Sequence, residues 1–319
     1  MKQYIGVDIG GTKVAVVKGN EHGEVLEKLR FENNLCMRDA VSKILDCVKS
    51  LGAADAIGIS CGGPLDPQLG VIQSPPNLLG WDDVPMVSIL EEATGIPTSL
   101  CNDADACALA EWRFGAGQGC RNMVFLTFGT GLGAGLILNG SLYSGACGGA
   151  GEIGHIRMER FGPVGYGKRG SLEGFASGGG IAQLARTAAL ECLQRGEHPA
   201  FCTDKSDLDT ITAQSVAFAA KAGDRTAIEV YRLCGELLGR GLSVVIDLLN
   251  PEKIVLGSIY ARLSELLIPS MQAAIREEAL ARNAAACEIL PASLGERLGD
   301  VAALSVAVDL DQKKRTVRA

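Results

Sequence analysis

The sequence predicts an α/β protein built from two similar lobes, and three observations carry that reading. Residues 4–17, YIGVDIGGTKVAVV, set two β-branched apolar runs around a Gly-Gly turn, the pattern of a tight hairpin. Short apolar strands then alternate with helical stripes as far as residue 114. A second glycine-rich hairpin at 122–139 restarts the pattern and points to duplicated lobes closing on a shared cleft.

At 319 residues the chain is long enough for one large domain or two of ordinary size, and 47% hydrophobic residues supply a core. Its 41 glycines imply many tight turns. A net charge of −7 argues against a general nucleic-acid surface, which needs a basic footprint. The sequence contains no run of 18 uncharged apolar residues and no signal-peptide pattern, so a cytoplasmic protein without a membrane partner is expected. The 11 cysteines are scattered singly with no CxxC pair, which fits reduced thiols acting as small apolar side chains.

The elements follow in order. After the hairpin comes a turn at 20–23 and a third strand over 24–31. Apolar residues at 41, 44, 45, 48 and 51 form a helical stripe over 38–51. A strand at 56–60 runs into Cys61-Gly62-Gly63-Pro64-Leu65-Asp66-Pro67, a loop at a strand's C-terminal end, where ligands gather in open α/β sheets. A helix at 87–95, a strand at 98–101 and a helix at 104–114 complete the first lobe. In the second, strands at 122–128 and 134–139 flank a turn at 129–133. Helix dominates from residue 181, including 228–249, and a buried strand at 253–256 ends at Gly257. Helices follow at 263–281 and 298–309, and 313–319 reads as a polar tail. The expected domains are 1–116, with a helix at about 297–312 packed back on it, and 117–296.

Chemistry enters at the first hairpin. Gly10 and Gly11 can take φ > 0 and expose bare N–H groups, which with Thr12 and Lys13 would form an anion cradle. Asp8 beside such a cradle points to Mg²⁺, which keeps several waters and bridges one or two carboxylates to substrate phosphates. The same residues also suit an ordinary glycine hairpin. TFGTGLGAG at 127–135 offers hydroxyls and amides on a second turn, and the pair could grip a polyphosphate from both sides. Asp103, after the strand at 98–101, stands where a general base would take a proton from a hydroxyl nucleophile, and equally where a helix N-cap belongs. Gly151-Glu152-Ile153-Gly154-His155, with Glu173, offers acceptors and a donor for sugar hydroxyls; the alternative is a core histidine and two surface carboxylates.

These residues resemble the ROK family of sugar kinases and repressors. The ordered set is DIGGTK at 8–13, the glycine-proline loop at 61–64, Asn77-Leu78 with Trp81, NDAD at 102–105, TFGTGLGAG at 127–135, GEIGH at 151–155, and Leu172-Glu173 with Ala176-Ser177-Gly178. The resemblance implies a two-domain actin-like, ribonuclease-H-like fold with ATP and sugar in the interdomain cleft, and a homodimer. It implies Asp103 as base toward a sugar 6-hydroxyl, with Gly63, Asn77, Asn102, Glu152, His155 and Glu173 lining the sugar site. Gly10, Gly11, Thr12, Lys13, Thr130 and Gly131 would surround the phosphates, Asp8 would hold magnesium through water, and Gly257 would lie near the nucleotide.

Two departures stand out. Family members commonly hold a structural zinc with three cysteines and the histidine of GEIGH, but those three positions are Val164, Tyr166 and Ser171 here. A structural zinc wants four protein ligands, so no zinc is expected and Tyr166 and Arg169 become the candidates for packing the loop. The nucleotide-side strand ends Leu256-Gly257-Ser258-Ile259, where further glycines are usual, and Ile259 would alter adenine packing.

The reading is an ATP-dependent hexose kinase acting on the 6-hydroxyl, with glucose the first expectation. N-acetylmannosamine, N-acetylglucosamine, fructose and allose are the alternatives, because a few hydroxyl contacts separate such substrates. A sugar-responsive repressor would carry a helix-turn-helix ahead of the strand that begins at Tyr4, and none is expected. A non-catalytic sugar-binding regulator is disfavoured by the presence of Asp8, Lys13 and Asp103 together.

Overall fold

The structure is a computed structural model and describes residues 2–318. The chain forms two compact units, one of Met1–Phe125, Gly135–Ala150 and Ser293–Ala319, the other of Leu126–Ala134 and Gly151–Ala292.

The first unit begins with β1 (Gln3–Ile9), β2 (Lys13–Asn20) and β3 (Val25–Glu32), then α1 (Met37–Leu51) and β4 (Ala56–Cys61). Short strands β5 (Leu65–Asp66) and β6 (Val71–Ile72) precede α2 (Met86–Thr94), β7 (Thr98–Asn102) and α3 (Asp103–Phe114). The sheet order is β3-β2-β1-β4-β7, with β1 antiparallel to β2 and parallel to β4. Strand side chains alternate between faces, and β1 uses both. Ile5, Val7 and Ile9 join Val14, Ile59 and Ile44 of α1 in the main core. Tyr4 faces the other way, onto Leu304, Ala307 and Val308 of the last helix, α10 (Leu298–Arg318). Glycines let that helix approach the strands: a Cβ added to Gly6 would lie 2.7 Å from the backbone nitrogen of Leu304. Asp8 shares the α10 face, and a Cβ on Gly299 would come 2.9 Å from its Oδ2.

The chain continues with β8 (Met123–Phe128), β9 (Leu132–Leu138) and β10 (Ser141–Tyr143), then β11 (Val164–Gly165), β12 (Lys168–Arg169), α4 (Leu172–Phe175) and α5 (Gly178–Gln194). Helices α6 (Ala213–Lys221) and α7 (Arg225–Leu249) lead to β13 (Lys253–Leu256), α8 (Ile259–Glu278), α9 (Ala281–Ala286) and β14 (Glu288–Pro291). The second large sheet has the order β10-β9-β8-β13-β14. It repeats the third-second-first-fourth-fifth arrangement of the first sheet, the topological form of the duplication that the two hairpins suggest.

Several elements depart from the sequence reading. The polar tail is helical: α10 continues to Arg318, supported by Lys313–Asp309 (2.8 Å) and Arg315–Asp311 (3.3 Å) pairs one turn apart. Ala319 lies outside the described residues. Helix α8 starts at Ile259, four residues before the expected 263, because a break at Leu263 (φ −135°, ψ 24°) joins a short first turn to the main helix. Helix α6, unassigned from sequence, is opened by a reciprocal cap between Thr212 and Ser215.

The zinc-position loop is not packed by Tyr166. That ring is 75% exposed, at a turn with φ 43°. Ser171 is buried instead, and its hydroxyl caps α4 by accepting from Gly174 N at 3.2 Å. Gln183 closes the other side: Val164 N donates to its Oε1 at 2.9 Å, and its Nε2 donates to Val164 O at 2.8 Å. Arg169 contributes through its carbonyl, which accepts from Arg157 at 2.7 Å. Small polar groups close this loop because they satisfy its backbone, which an aromatic ring cannot do. No helix among the described residues is long and apolar enough to cross a membrane.

Candidate functional site

The sequence-derived site residues fall into two sets, one in each unit. In the first unit, the turn after β1 is closed by Gly10 N donating to Lys13 O at 3.0 Å. Asn33 braces it from outside, donating from Nδ2 to Gly10 O at 2.7 Å and from its backbone to Thr12 O at 2.8 Å. Neither Gly10 nor Gly11 takes a positive φ, contrary to expectation. Gly11 is needed for space: a Cβ there would meet Asn77 O at 2.7 Å. The same contact seats Asn77 beside the turn, while Thr12 and Lys13 are exposed.

Asp8, one residue before the end of β1, lies opposite Ser60, which hydrogen-bonds its carboxylate. Burial raises its pKa to about 6, and the neighbouring carboxylates of Asp300 and Asp103 push the same way. Lys28 opposes them but is itself tied to Asp300 at 2.6 Å. The result is a hard oxygen ligand among like charges, a donor set that suits a divalent cation.

Asp103 is the first residue of α3, and the cap reading belongs to its neighbour. Asn102 Oδ1 accepts from Ala104 N at 2.9 Å, and Asp103 Oδ1 shares that donor at 2.8 Å. Asp103 Oδ2 faces the glycine loop, 3.8 Å from where a Cβ on Gly62 would stand. Asn102 Nδ2 lies 3.4 Å from the corresponding point on Gly63. Asp103 is exposed as a residue, and partial desolvation of its carboxyl raises its pKa against the lowering effect of the Ala104 N–H.

In the second unit, Glu173 ties several predicted residues together. Its Oε2 accepts from Leu132 N at 3.0 Å, and a Cβ on Gly131 would lie 2.8 Å from it. Its own Cβ lies 3.3 Å from a Cβ placed on Gly154 and 2.8 Å from one on Gly165. His155, next to Gly154, is exposed on a short 3₁₀ turn that follows Glu152. Its carbonyl accepts from Lys168 Nζ at 2.6 Å, and its ring meets the Tyr166 ring edge-on, 6.5 Å between centroids. Glu173 thus links the Gly131 turn to the His155 turn.

Thr130 lines a cavity of about 660 Å³ with Gly129, Gly178, Phe218, Ser258 and Ile259. Gly257 is not among its walls; it is buried, and its N–H donates to Leu126 O at 2.9 Å in the sheet. Sequence reasoning missed Ser258, Arg262 and the α6 wall of this cavity, and it missed Asp300 and Asn33. The Thr212/Ser215 spacing was the one signal that could have revealed α6. Among the described residues, no three His, Cys, Asp or Glu side chains are grouped as ligands for a metal ion.

The ROK family pattern matches residues 4–309. A glucokinase of Halalkalibacterium halodurans is 35% identical over 309 residues, covering 93% of this chain and 92% of that protein. The crystal structure of a ROK family glucokinase from Streptomyces griseus in complex with glucose and AMPPNP is similar at 31% identity and a TM-score of 0.76, covering 96% of this chain and 99% of that one. A ROK family transcriptional regulator, homologous to the E. coli MLC protein, matches at 26% identity and a TM-score of 0.84 over 99% of this chain and 81% of its own. With two five-stranded sheets of one strand order, the matching structures place the fold in the actin-like ATPase class. The chain belongs to the ROK family.

Proposed function

We propose that this protein is an ATP-dependent sugar kinase that transfers the γ-phosphoryl group to the 6-hydroxyl of a hexose, with glucose as the first substrate. The observation that carries the reading is Asp103: its Oδ1 shares the Ala104 N–H with Asn102, and its second oxygen, Oδ2, faces Gly62 as a base. In the step proposed, Asp103 accepts the hydroxyl proton as the sugar oxygen bonds to the γ-phosphorus. The bond from that phosphorus to the β-phosphate oxygen breaks and ADP leaves.

Gly63, Asn77, Asn102, Glu152, His155 and Glu173 are proposed to line the sugar, and Gly10, Gly11, Thr12, Lys13, Thr130 and Gly131 to face the phosphates. Gly257 would act indirectly, by fixing the start of the Ser258 turn. Asp8 fits a magnesium ion held through water, which when bound supplies neutralisation of phosphate charge. The domains at 1–116 with the closing helix and 117–296, a homodimer and a cytoplasmic location belong to the same proposal, which includes no nucleic-acid or membrane partner and no structural zinc. The similarity to a glucokinase at 35% identity supports glucose ahead of N-acetylhexosamines, fructose and allose.

The regulator similarity supports a second reading, a sugar-responsive DNA-binding protein. A coupled ADP-release assay over a panel of hexoses and N-acetylhexosamines tests the first reading. Turnover highest with glucose is expected, turnover confined to another sugar would reassign the substrate, and sugar-dependent gel shift without ADP release would favour the regulator.

A further inference from the structure

The hairpin of β11 and β12 stands in the stretch where the family resemblance leads to zinc cysteines, and its tip is built against the usual preference. Val164 pairs with Arg169 and Gly165 with Lys168, which leaves Tyr166-Gly167 as the turn. Both turn residues hold positive φ, 43° and 74°. Asn-Gly is the favoured pair in such a turn, and a bulky aromatic residue at its first position is strained. The Tyr166 ring is also largely exposed, so burial does not offset that strain.

What the ring meets is the His155 imidazole. The two planes stand 78° apart with centroids 6.5 Å apart, within the roughly 4.5–7 Å over which edge-to-face pairs attract. The same hairpin holds the His155 backbone, since Lys168 Nζ donates to its carbonyl at 2.6 Å. Other residues fix the base of the hairpin. A Cβ on Gly165 would stand 2.5 Å from Gly174 N, and Gln183 bonds both backbone groups of Val164. A structural zinc does not fit here: Val164, Tyr166 and Ser171 offer no thiolate, and the Ser171 hydroxyl is committed to the α4 cap.

We infer that Tyr166 is a positioning residue for sugar binding: its ring fixes the orientation of the His155 imidazole, as a metal bond to that histidine would where the zinc cysteines are present. The inference rests on the kinase reading, in which His155 lines the sugar, and adds what aims that side chain. Rotation of the imidazole is restricted before the sugar arrives, which raises affinity without touching the reacting atoms.

Calorimetric titration of glucose and steady-state kinetics test it on the full chain, on Tyr166→Ala, Tyr166→Phe, Tyr166→Asn and His155→Gln, and on the Tyr166→Ala/His155→Gln double variant. Tyr166→Ala is expected to weaken glucose binding roughly 2–10-fold, the scale of one aromatic pair, and to raise the KM for glucose with kcat nearly unchanged. Tyr166→Phe keeps the ring and should keep the affinity. Tyr166→Asn should weaken glucose as Tyr166→Ala does while raising the melting temperature, because asparagine accepts the left-handed turn. The double variant should bind no more weakly than His155→Gln alone. The chain has three histidines, so His155→Gln assigns the His155 imidazole C–H resonances, which should shift in Tyr166→Ala. Equal glucose affinity in the wild type and Tyr166→Ala overturns the inference alone. Additive losses in the double variant overturn the route through His155. A melting temperature that falls together with affinity in Tyr166→Asn assigns the ring to loop packing and overturns it as well. A wild type that binds no hexose overturns the kinase reading itself, while the resonances still report the ring contact.

Discussion

Asp8 shows how a buried carboxylate opposes the stability of the fold that holds it. With its pKa raised from 3.8 to about 6, it is protonated in both folded and unfolded chains below pH 4 and costs nothing there. Between pH 4 and 6 the unfolded chain releases the proton first, so folded stability falls as pH rises. Above pH 6 the deficit is roughly 3 kcal/mol. Asp8→Asn removes the charge and is expected to raise the melting temperature at pH 8, to leave it nearly unchanged at pH 4, and to abolish turnover. Thermal melts at the two pH values check this; equal shifts at both would contradict it. The two hairpins themselves were legible because β-branched runs on either side of a glycine turn read as paired strands. Ser258, Asp300 and Asn33 were not, because a serine at positive φ, an aspartate brought in by the last helix and a brace from the neighbouring strand all depend on tertiary structure.

At the level of elements, the first unit relies on Glu111 near the end of α3. Its side chain is fully buried and accepts four hydrogen bonds: from Ala116 N (2.8 Å), Ser293 N (3.0 Å), Leu294 N (3.0 Å) and Ser293 Oγ (3.2 Å). One carboxylate therefore anchors both the turn that leaves α3 and the segment that leads into α10. Glu111→Gln turns an acceptor into a donor against those N–H groups and should destabilise the protein by about 2–4 kcal/mol, several degrees in melting temperature. A melt within one degree of the wild type would show that the anchor is dispensable. The strands β1–β4, β7–β9 and β13, with α1, α3 and most of α7, were readable from their apolar patterns, whereas β5, β6, β10, β11, β12 and β14 were not, being two to four residues long. Helix α6 was hidden because small residues dilute its stripe, and the end of α10 because its charged residues pair along the helix, which reads as a tail when taken one at a time.

For the whole molecule, the repeated strand order was anticipated by two glycine hairpins, each opening a strand-rich segment. Which side chain would close the 162–173 loop was not, since Ser171 and Gln183 act on backbone groups that only the folded loop presents. The central claim is that Asp103 removes a proton from a sugar hydroxyl, and the rate of glucose-dependent ADP formation by Asp103→Asn, read beside calorimetric glucose binding, tests it most directly. The account predicts glucose affinity within a few-fold of the wild type and a kcat lower by roughly two or more decades. Turnover at the wild-type rate in that variant would contradict it.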